Sequence, residues 1–308
     1  MNSIRVLITG GAGFIGVNLT RHLLAKGDYD VYVLDNFSNS IREYLPDDSK
    51  LTVYQDDLSN SKNLPRYLQD KDYVVHLAAH TYVRESIEYP SHNFQENAVV
   101  TFHLLNASAK AGVKHFIFAS TGAVIGNHPP PIHEELVARP ISPYGASKLV
   151  GEAYCNVFSE ISDMKCTILR FSNIYGPYSI KKTSVVAKFI KLVMNSYCIE
   201  IYGDGSQTRD YLYVEDLCDL VVKTFGCDYK SNLFQVASGE GTSLNALINL
   251  LEENFNKKID KKYLGFNKGE VKYNYAKVSK AEKVLKFYPR VSLEIGIKKT
   301  IGWFLKCK

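Results

Sequence analysis

With 308 residues, 45% of them hydrophobic and 22% charged, the chain has the make-up of an ordinary globular protein and excludes a disordered or fibrous one. Its length suits one large α/β domain or two smaller ones. The net charge of +5 is modest and comes partly from a lysine-rich C-terminal fifth (Lys257, Lys258, Lys261, Lys262, Lys298, Lys299). Such runs are usually solvated helix faces, so no nucleic-acid partner is expected, although a mild positive bias suits a phosphorylated substrate.

A strand starts at Ile4 with no leader pattern ahead of it, and no apolar run has the length of a membrane span. Six cysteines stand singly without a CxxC pair, which reads as reduced thiols; the expected location is cytoplasmic. His76 and His80 are four apart, but His76 falls in a strand and no carboxylate or cysteine set completes a ligand shell. No metal is expected.

Taken in chain order, strand-like runs occur at Arg5–Thr9, Tyr32–Asp35, Thr52–Tyr54, Tyr73–Leu77, His115–Ala119 and Thr167–Phe171. Helical patterns at Ile15–Lys26, Phe94–Ala111 and Tyr144–Glu160 lie between them. This alternation predicts βαβ units and an α/β fold with a doubly wound parallel (Rossmann) sheet over residues 1–171. From 172 to 308 helices and loops predominate, which predicts a second, smaller α/β substrate lobe; Asp210–Val222 reads as a helix and Leu233–Ala237 as a strand, so 209–237 are expected to return to the first.

Thr9-Gly10-Gly11-Ala12-Gly13-Phe14-Ile15-Gly16 follows the first strand and opens a helix. Glycines there allow a sharp turn, close approach to a pyrophosphate and tight helix–strand packing, and the helix N-terminus offers free N–H groups. Asp35 ends the second strand, where a carboxylate would hold ribose hydroxyls and repel a 2′-phosphate; the next residue is Asn36, not arginine. NAD is therefore the expected cofactor. Asp57-Leu58 after the third strand and Leu77-Ala78-Ala79 after the fourth complete its expected surroundings.

Tyr144-Gly145-Ala146-Ser147-Lys148 puts a phenol and an amine on one face at the start of a helix. An ammonium beside a tyrosine stabilises the phenolate, so the pair can act as a base. It follows the fifth strand and the hydroxyl pair Ser120-Thr121, at the sheet edge where ligands bind.

These motifs, together with RFSNIYGP and GDGSQTRDYLYVEDL, occur in the order found in the extended short-chain dehydrogenase/reductases. Within them the chain resembles the NAD-dependent epimerase/dehydratase family, and most of all its UDP-glucose (or UDP-N-acetylglucosamine) 4-epimerases. The resemblance implies that Tyr144 is the base for the sugar 4-hydroxyl, that Lys148 lowers its pKa and holds the nicotinamide ribose, and that Thr121 bonds the reacting oxygen. It adds Asn36, Asn39, Ser40 and Asn97 to the cofactor contacts. For the nucleotide-diphosphate sugar, expected to be a UDP-sugar, it implies Asn173, Val185, Val186, Ile201, Tyr202, Arg209, Glu270 and Asn274. A homodimer through the helices Phe94–Ala111 and Tyr144–Glu160 is implied as well. Asp210 and Asp216 read as structural, Asp216 as a helix N-cap.

Dehydration or decarboxylation needs an extra acid near the catalytic hydroxyl, and Gly122, Ala123 and Val124 supply none. Simple epimerisation is the expected reaction, with an NAD(P)-dependent 4-keto-sugar reductase as the alternative. Glu134 and Glu135 follow a proline loop and read as surface residues. Three departures from the family stand out: Asn267-Lys268-Gly269-Glu270 lacks the usual phosphate-gripping arginine, Ala276-Lys277 replaces a later Ala-Asp, and Ile125 takes the place of a tyrosine. Asn274 aligns with a wall position where a small residue admits an N-acetyl group, so UDP-N-acetylglucosamine and its galacto epimer are expected to be accepted.

Overall fold

β-Branched and aromatic residues buried on both faces build the central strands, as a sheet covered by helices on either side requires. The computed structural model describes residues 3–265 and 272–307. In chain order the elements are β1 (Ile4–Thr9), α1 (Phe14–Lys26), β2 (Tyr29–Asp35), β3 (Leu51–Gln55), α2 (Leu64–Leu68), β4 (Tyr73–His76), α3 (Val83–Glu88), α4 (Pro90–Asn93), α5 (Val100–Lys110), β5 (His115–Thr121), α6 (Pro143–Ile161) and β6 (Lys165–Phe171). They continue as β7 (Asn173–Tyr175), α7 (Val185–Met194), β8 (Ile199–Tyr202), β9 (Thr208–Arg209), β10 (Tyr211–Tyr213), α8 (Val214–Thr224), β11 (Ser231–Val236), β12 (Thr242–Ser243), α9 (Leu244–Phe255), β13 (Lys261–Leu264), α10 (Ser279–Leu285) and α11 (Leu293–Lys306).

Seven strands form one sheet in the order β11-β6-β5-β4-β1-β2-β3, all parallel. The doubly wound Rossmann architecture is the one expected. Its order reverses between β1 and β4, so their carboxyl ends part and open a crevice. Alternate residues of β1 serve opposite faces: Val6 and Ile8 pack under α1 and α8 with Leu19, Leu23 and Leu217, whereas Leu7 joins Leu104, Phe116 and Phe118 beneath α5 and α6. A separate core of Phe189, Ile190, Ile201, Leu247, Leu251 and Phe304 holds α7, α9 and α11 together beside the small sheets.

Two elements differ from expectation. The helical run predicted from Phe94 begins at Pro90, whose fixed φ suits a first turn, and it passes through a π-helical turn at Phe94–Val99 before α5. A helix read from Asp210 starts instead at Val214, because Tyr211–Tyr213 pair with Asn173–Tyr175 as a short parallel ladder.

Two histidines are sealed inside the sheet. His76 Nδ1 lies 2.7 Å from Thr9 Oγ1 and its Nε2 3.0 Å from Thr101 Oγ1; His115 Nε2 lies 2.7 Å from Thr167 Oγ1. Burial pushes them down to about 3 and about 4, so both stay neutral in the fold and take protons only on unfolding. Their contribution to stability is whole above pH 6.5 and is lost as pH falls toward the folded values. Denaturant unfolding should therefore show a loss of about 2 kcal/mol per histidine between pH 7 and pH 5, and His76→Asn should remove one such share.

Candidate active site

The turn from β1 into α1 is stripped of side chains. Gly10 has φ +69°, and a Cβ on it would sit 2.7 Å from the Ala78 amide nitrogen; a Cβ on Gly16 would overlap the Gly10 carbonyl oxygen. Gly13 is the N-cap of α1, no side chain caps the helix, and its first turn holds no acid. The bare N–H groups and the positive end of the helix thus face the crevice, where the diphosphate of NAD fits. Phe14 and Ile15 turn toward the core from this corner, and Leu77 packs there from the end of β4. Ala78 and Ala79 remain half-buried beside Gly10.

Asp35 closes the neighbouring side. Its Oδ2 accepts the Ala12 N–H at 3.0 Å, and Oδ1 accepts the Phe37 N–H at 2.8 Å and the Ser40 hydroxyl at 3.0 Å. Asn36 Nδ2 donates to Asp57 Oδ2 at 3.0 Å, and Asn39 Nδ2 to the Tyr82 hydroxyl at 3.0 Å. Hydrogen bonds from Ser59 and Asn36 hold the Asp57 carboxyl below its usual range. Leu58 packs behind it.

Asn97 is bound to the segment that follows β4. Its side chain is 2% exposed; Oδ1 accepts the His80 N–H at 2.8 Å, while Nδ2 donates to the His80 carbonyl at 3.0 Å and to Ser147 Oγ at 3.3 Å. Its amide clamps the segment after β4 to α6.

Across the crevice, Ser142 caps α6 by accepting the Gly145 N–H at 3.1 Å, and Ser86 accepts the Tyr144 N–H at 3.2 Å. Tyr144 and Lys148 are both buried on the inner face of that helix. Lys148 Nζ donates to the Ala119 carbonyl at 2.9 Å and lies 4.8 Å from the centre of the Phe118 ring. The Thr121 side chain at the end of β5 stands beside the Tyr144 phenol. Burial pushes the phenol up to about 12, with Thr121 pulling back. Burial also brings the Lys148 ammonium down to about 8, opposed by Cys155 and Glu152. A phenol in this setting needs further positive charge close by to ionise near neutrality.

Beyond β6, Asp210 is the organising residue. Its carboxylate accepts Ser238 N at 2.7 Å, Ser238 Oγ at 2.8 Å, Gly239 N at 3.0 Å and Ala276 N at 3.3 Å. Its carbonyl accepts Asn173 Nδ2 at 3.2 Å. Arg209 precedes it and donates from Nη1 to the Thr208 carbonyl at 2.8 Å; the Asn274 N–H reaches Thr208 Oγ1 at 3.3 Å. Asn173 is thus tied to the Asp210 carbonyl, while Arg209 and Asn274 are both tied to the neighbouring Thr208.

Other expected substrate residues are placed differently. Ile201 and Val186 belong to the core of the small sheets, so their side chains are unavailable to a ligand; Tyr202 and Val185 are partly accessible. Glu270, with Asn267 and Lys268, lies outside the described residues. Asp216 is not an N-cap: that position is Tyr213, and the buried Asp216 carboxylate accepts the N–H groups of Arg290 and Val291, both at 3.1 Å. Glu134 is not a plain surface residue, since its Oε1 accepts the Gln235 N–H at 2.8 Å on the outer strand β11. Ile125 is sealed among Val124, Ile132, Ala276 and Val278, which makes it a packing residue.

Sequence reasoning overlooked Glu152 and Arg170, an ion pair behind Thr121. The available signals were a glutamate four residues after Lys148 and an arginine in an otherwise apolar strand. Asp210→Asn should lower stability by about 2–4 kcal/mol, since an amide turns one acceptor into a donor facing N–H groups, and it should raise the KM for nucleotide sugar. Urea titration and initial rates check both.

A Rossmann sheet with a glycine turn at its switch point and a buried Tyr–Lys pair above β5 defines a nucleotide-dependent α/β enzyme. Residues 6–228 match the NAD dependent epimerase/dehydratase family. The chain belongs to that family. It is similar over its whole length to the UDP-N-acetylglucosamine 4-epimerase of Methanobrevibacter ruminantium, solved with UDP-N-acetylmuramic acid (32% identity, 100% of each chain covered, TM-score 0.94). The UDP-glucose 4-epimerase of Thermotoga maritima, solved with UDP-glucose, matches with 34% identity over 99% of each chain and a TM-score of 0.93. The UDP-glucuronic acid 4-epimerase of Bacillus cereus, solved with UDP-glucuronic acid and NAD, matches with 30% identity over 99% of this chain and 100% of the other, with a TM-score of 0.91.

Proposed function

We propose that this protein is an NAD-dependent UDP-sugar 4-epimerase in which Tyr144 is the base. The observation that carries this reading is the buried phenol of Tyr144, beside the Thr121 side chain and one helical turn from the Lys148 ammonium, next to a crevice shaped for NAD. The alternative of a net 4-keto-sugar reductase is not favoured, because the three compared structures are all 4-epimerases.

In this reading Gly10, Gly13 and Gly16 cradle the cofactor diphosphate and Asp35 holds its ribose. Residues 1–171, with 209–237 returning to them, carry NAD; the rest of 172–308 carries the nucleotide sugar. Arg209 engages the diphosphate of that sugar with a planar fork of donors, and Asn173 lies beside it. The chemistry that NAD supplies when bound is reversible acceptance of hydride at the sugar C4. Tyr144 removes the proton of the 4-hydroxyl and returns it to the 4-ketone oxygen after the sugar has turned over in the site. Thr121 bonds that oxygen throughout, and the Lys148 ammonium stabilises the phenolate.

Asn274 lies against Thr208 on the wall shared with Arg209. Its modest size supports acceptance of N-acetylated hexoses alongside glucose and galactose. Exposed apolar residues at the start of and along the helical run from Pro90 (Tyr89 just before it, and Phe94) and on α6 (Tyr154, Val157, Ile161) support a homodimer through these helices. Six unpaired cysteines suit a reducing compartment such as the cytoplasm. Among the described residues no helix is long and apolar enough to cross a membrane, and no group of three or more His, Cys, Asp or Glu could hold a metal ion.

Incubation with UDP-glucose, UDP-N-acetylglucosamine or UDP-glucuronate, without added reductant, should yield the C4 epimer of at least one sugar by chromatography. Product formed only with added NADH or NADPH would favour the reductase. If Asn274 admits the larger group, UDP-N-acetylglucosamine turns over; activity confined to the non-acetylated pair removes that part of the reading. Tyr144→Phe should lower kcat by about 10³-fold or more while NAD remains bound, as read by absorbance and mass of the released cofactor. Retained turnover would show that another group is the base.

A further inference from the structure

Ser120, Arg170 and Gln235 stand in register on β5, β6 and β11, immediately behind Thr121. Glu152 on α6 reaches down to this row. Ser120 Oγ donates to Glu152 Oε1 at 2.5 Å, Arg170 Nε donates to the same oxygen at 2.8 Å, and Arg170 Nη2 donates to Oε2 at 2.6 Å. The two charged side chains are 4% and 5% exposed.

An ion pair this deep is an expensive way to join a helix to a sheet. Desolvation costs several kcal/mol per ion, and apolar residues of similar volume serve as well or better where packing alone is needed. Its position offers another use. Glu152 follows Lys148 by one helical turn on the same face, and Ser120 precedes Thr121 in the strand.

The charges around Lys148 can be named from each packed element. Its own helix presents the Tyr144 phenol, Glu152 and Cys155, the free thiol of Cys155 being pushed well up by burial beside the thiol of Cys166 on β6. From β4 comes His76, held neutral by burial. From β6 comes Arg170, committed to Glu152, and β5 adds only the Ala119 carbonyl, the Phe118 ring and the Thr121 hydroxyl. Glu152 is the carboxylate that acts on this ammonium.

We propose that Glu152, held by Arg170, is a positioning residue for epimerisation: it ties Ser120 away from the site, so that Thr121 alone meets the Tyr144 phenol, and its charge keeps Lys148 protonated. The inference rests on Tyr144 being the base, and its test separates the two.

Glu152→Gln retains an oxygen for Ser120 and the side-chain volume but removes the charge. Its kcat should fall at least about tenfold with the KM for UDP-sugar within about twofold, and the alkaline limb of the kcat–pH profile, where Lys148 loses its proton, should move about one unit lower. Glu152→Asp, which keeps the charge, should bring the limb back toward the parent position. Glu152→Leu/Arg170→Leu removes both charges and should hold its melting temperature while keeping the lowered kcat and shifted limb. An unshifted limb in Glu152→Gln, or parent kcat and limb in the double variant, would reduce the pair to packing and overturn the proposal. Tyr144→Phe, assayed alongside, decides the underlying reading: turnover near the parent rate there removes the base, whereas a Tyr144→Phe lowered about 10³-fold with an unshifted Glu152→Gln removes only the positioning role.

Discussion

The contact on which the site depends is that between α6 and the strand beneath it. Gly151 lets the helix settle onto Phe118, since any Cβ there would overlap the ring. Glu152, next in sequence, grips Arg170 and Ser120 below. A helix held at two adjacent residues has its rotation and its height set together. One turn away, Lys148 and then Tyr144 are carried to the end of β5, where Thr121 and the Ala119 carbonyl receive them. Rotation of the helix by a single residue, about 100°, would turn both functional groups out of the crevice.

Electrostatics follows from this packing. The phenol and the ammonium are both driven toward their neutral forms by burial, and a pair of neutral groups is a poor base. A nearby anion favours the ammonium, and the ammonium in turn favours the phenolate. The low dielectric that makes each charge costly also makes each interaction between them stronger than in water. A dry site with few charges can therefore be tuned by one carboxylate.

The second half of the chain is ordered by the same economy of means. Asp210 joins the segments at Asn173, Ser238–Gly239 and Ala276, so residues scattered over more than a hundred positions are brought to one wall. In the proposed reading the adjacent Arg209 takes up recognition, so that one short run combines scaffold and binding. Asp216 and Glu134 extend this pattern: each spends its carboxylate on backbone N–H groups that ordinary pairing leaves unmet.

The parallel sheet, the glycine turn and the Tyr–Lys pair were legible in the linear chain because each is a local pattern: a period of apolar residues, a forced backbone shape, a spacing of four along a helix. The same held for Asp35, which ends its strand at the edge where a dinucleotide lies. Contacts between distant segments were not legible. Nothing around Asn97 reveals that the π-helical turn swings its amide onto His80, nor does the Ile201-Tyr202 pair disclose which of its members faces the core. Ser120 and Thr121 look alike as neighbouring hydroxyls, yet alternation along a strand sends them to opposite sides, one to a buried carboxylate and one to the phenol. Local order comes from the backbone and its nearest neighbours, so it can be read in one dimension; the partner of a buried polar group is chosen by whatever the folded chain brings within about 3 Å, and only the tertiary structure decides that.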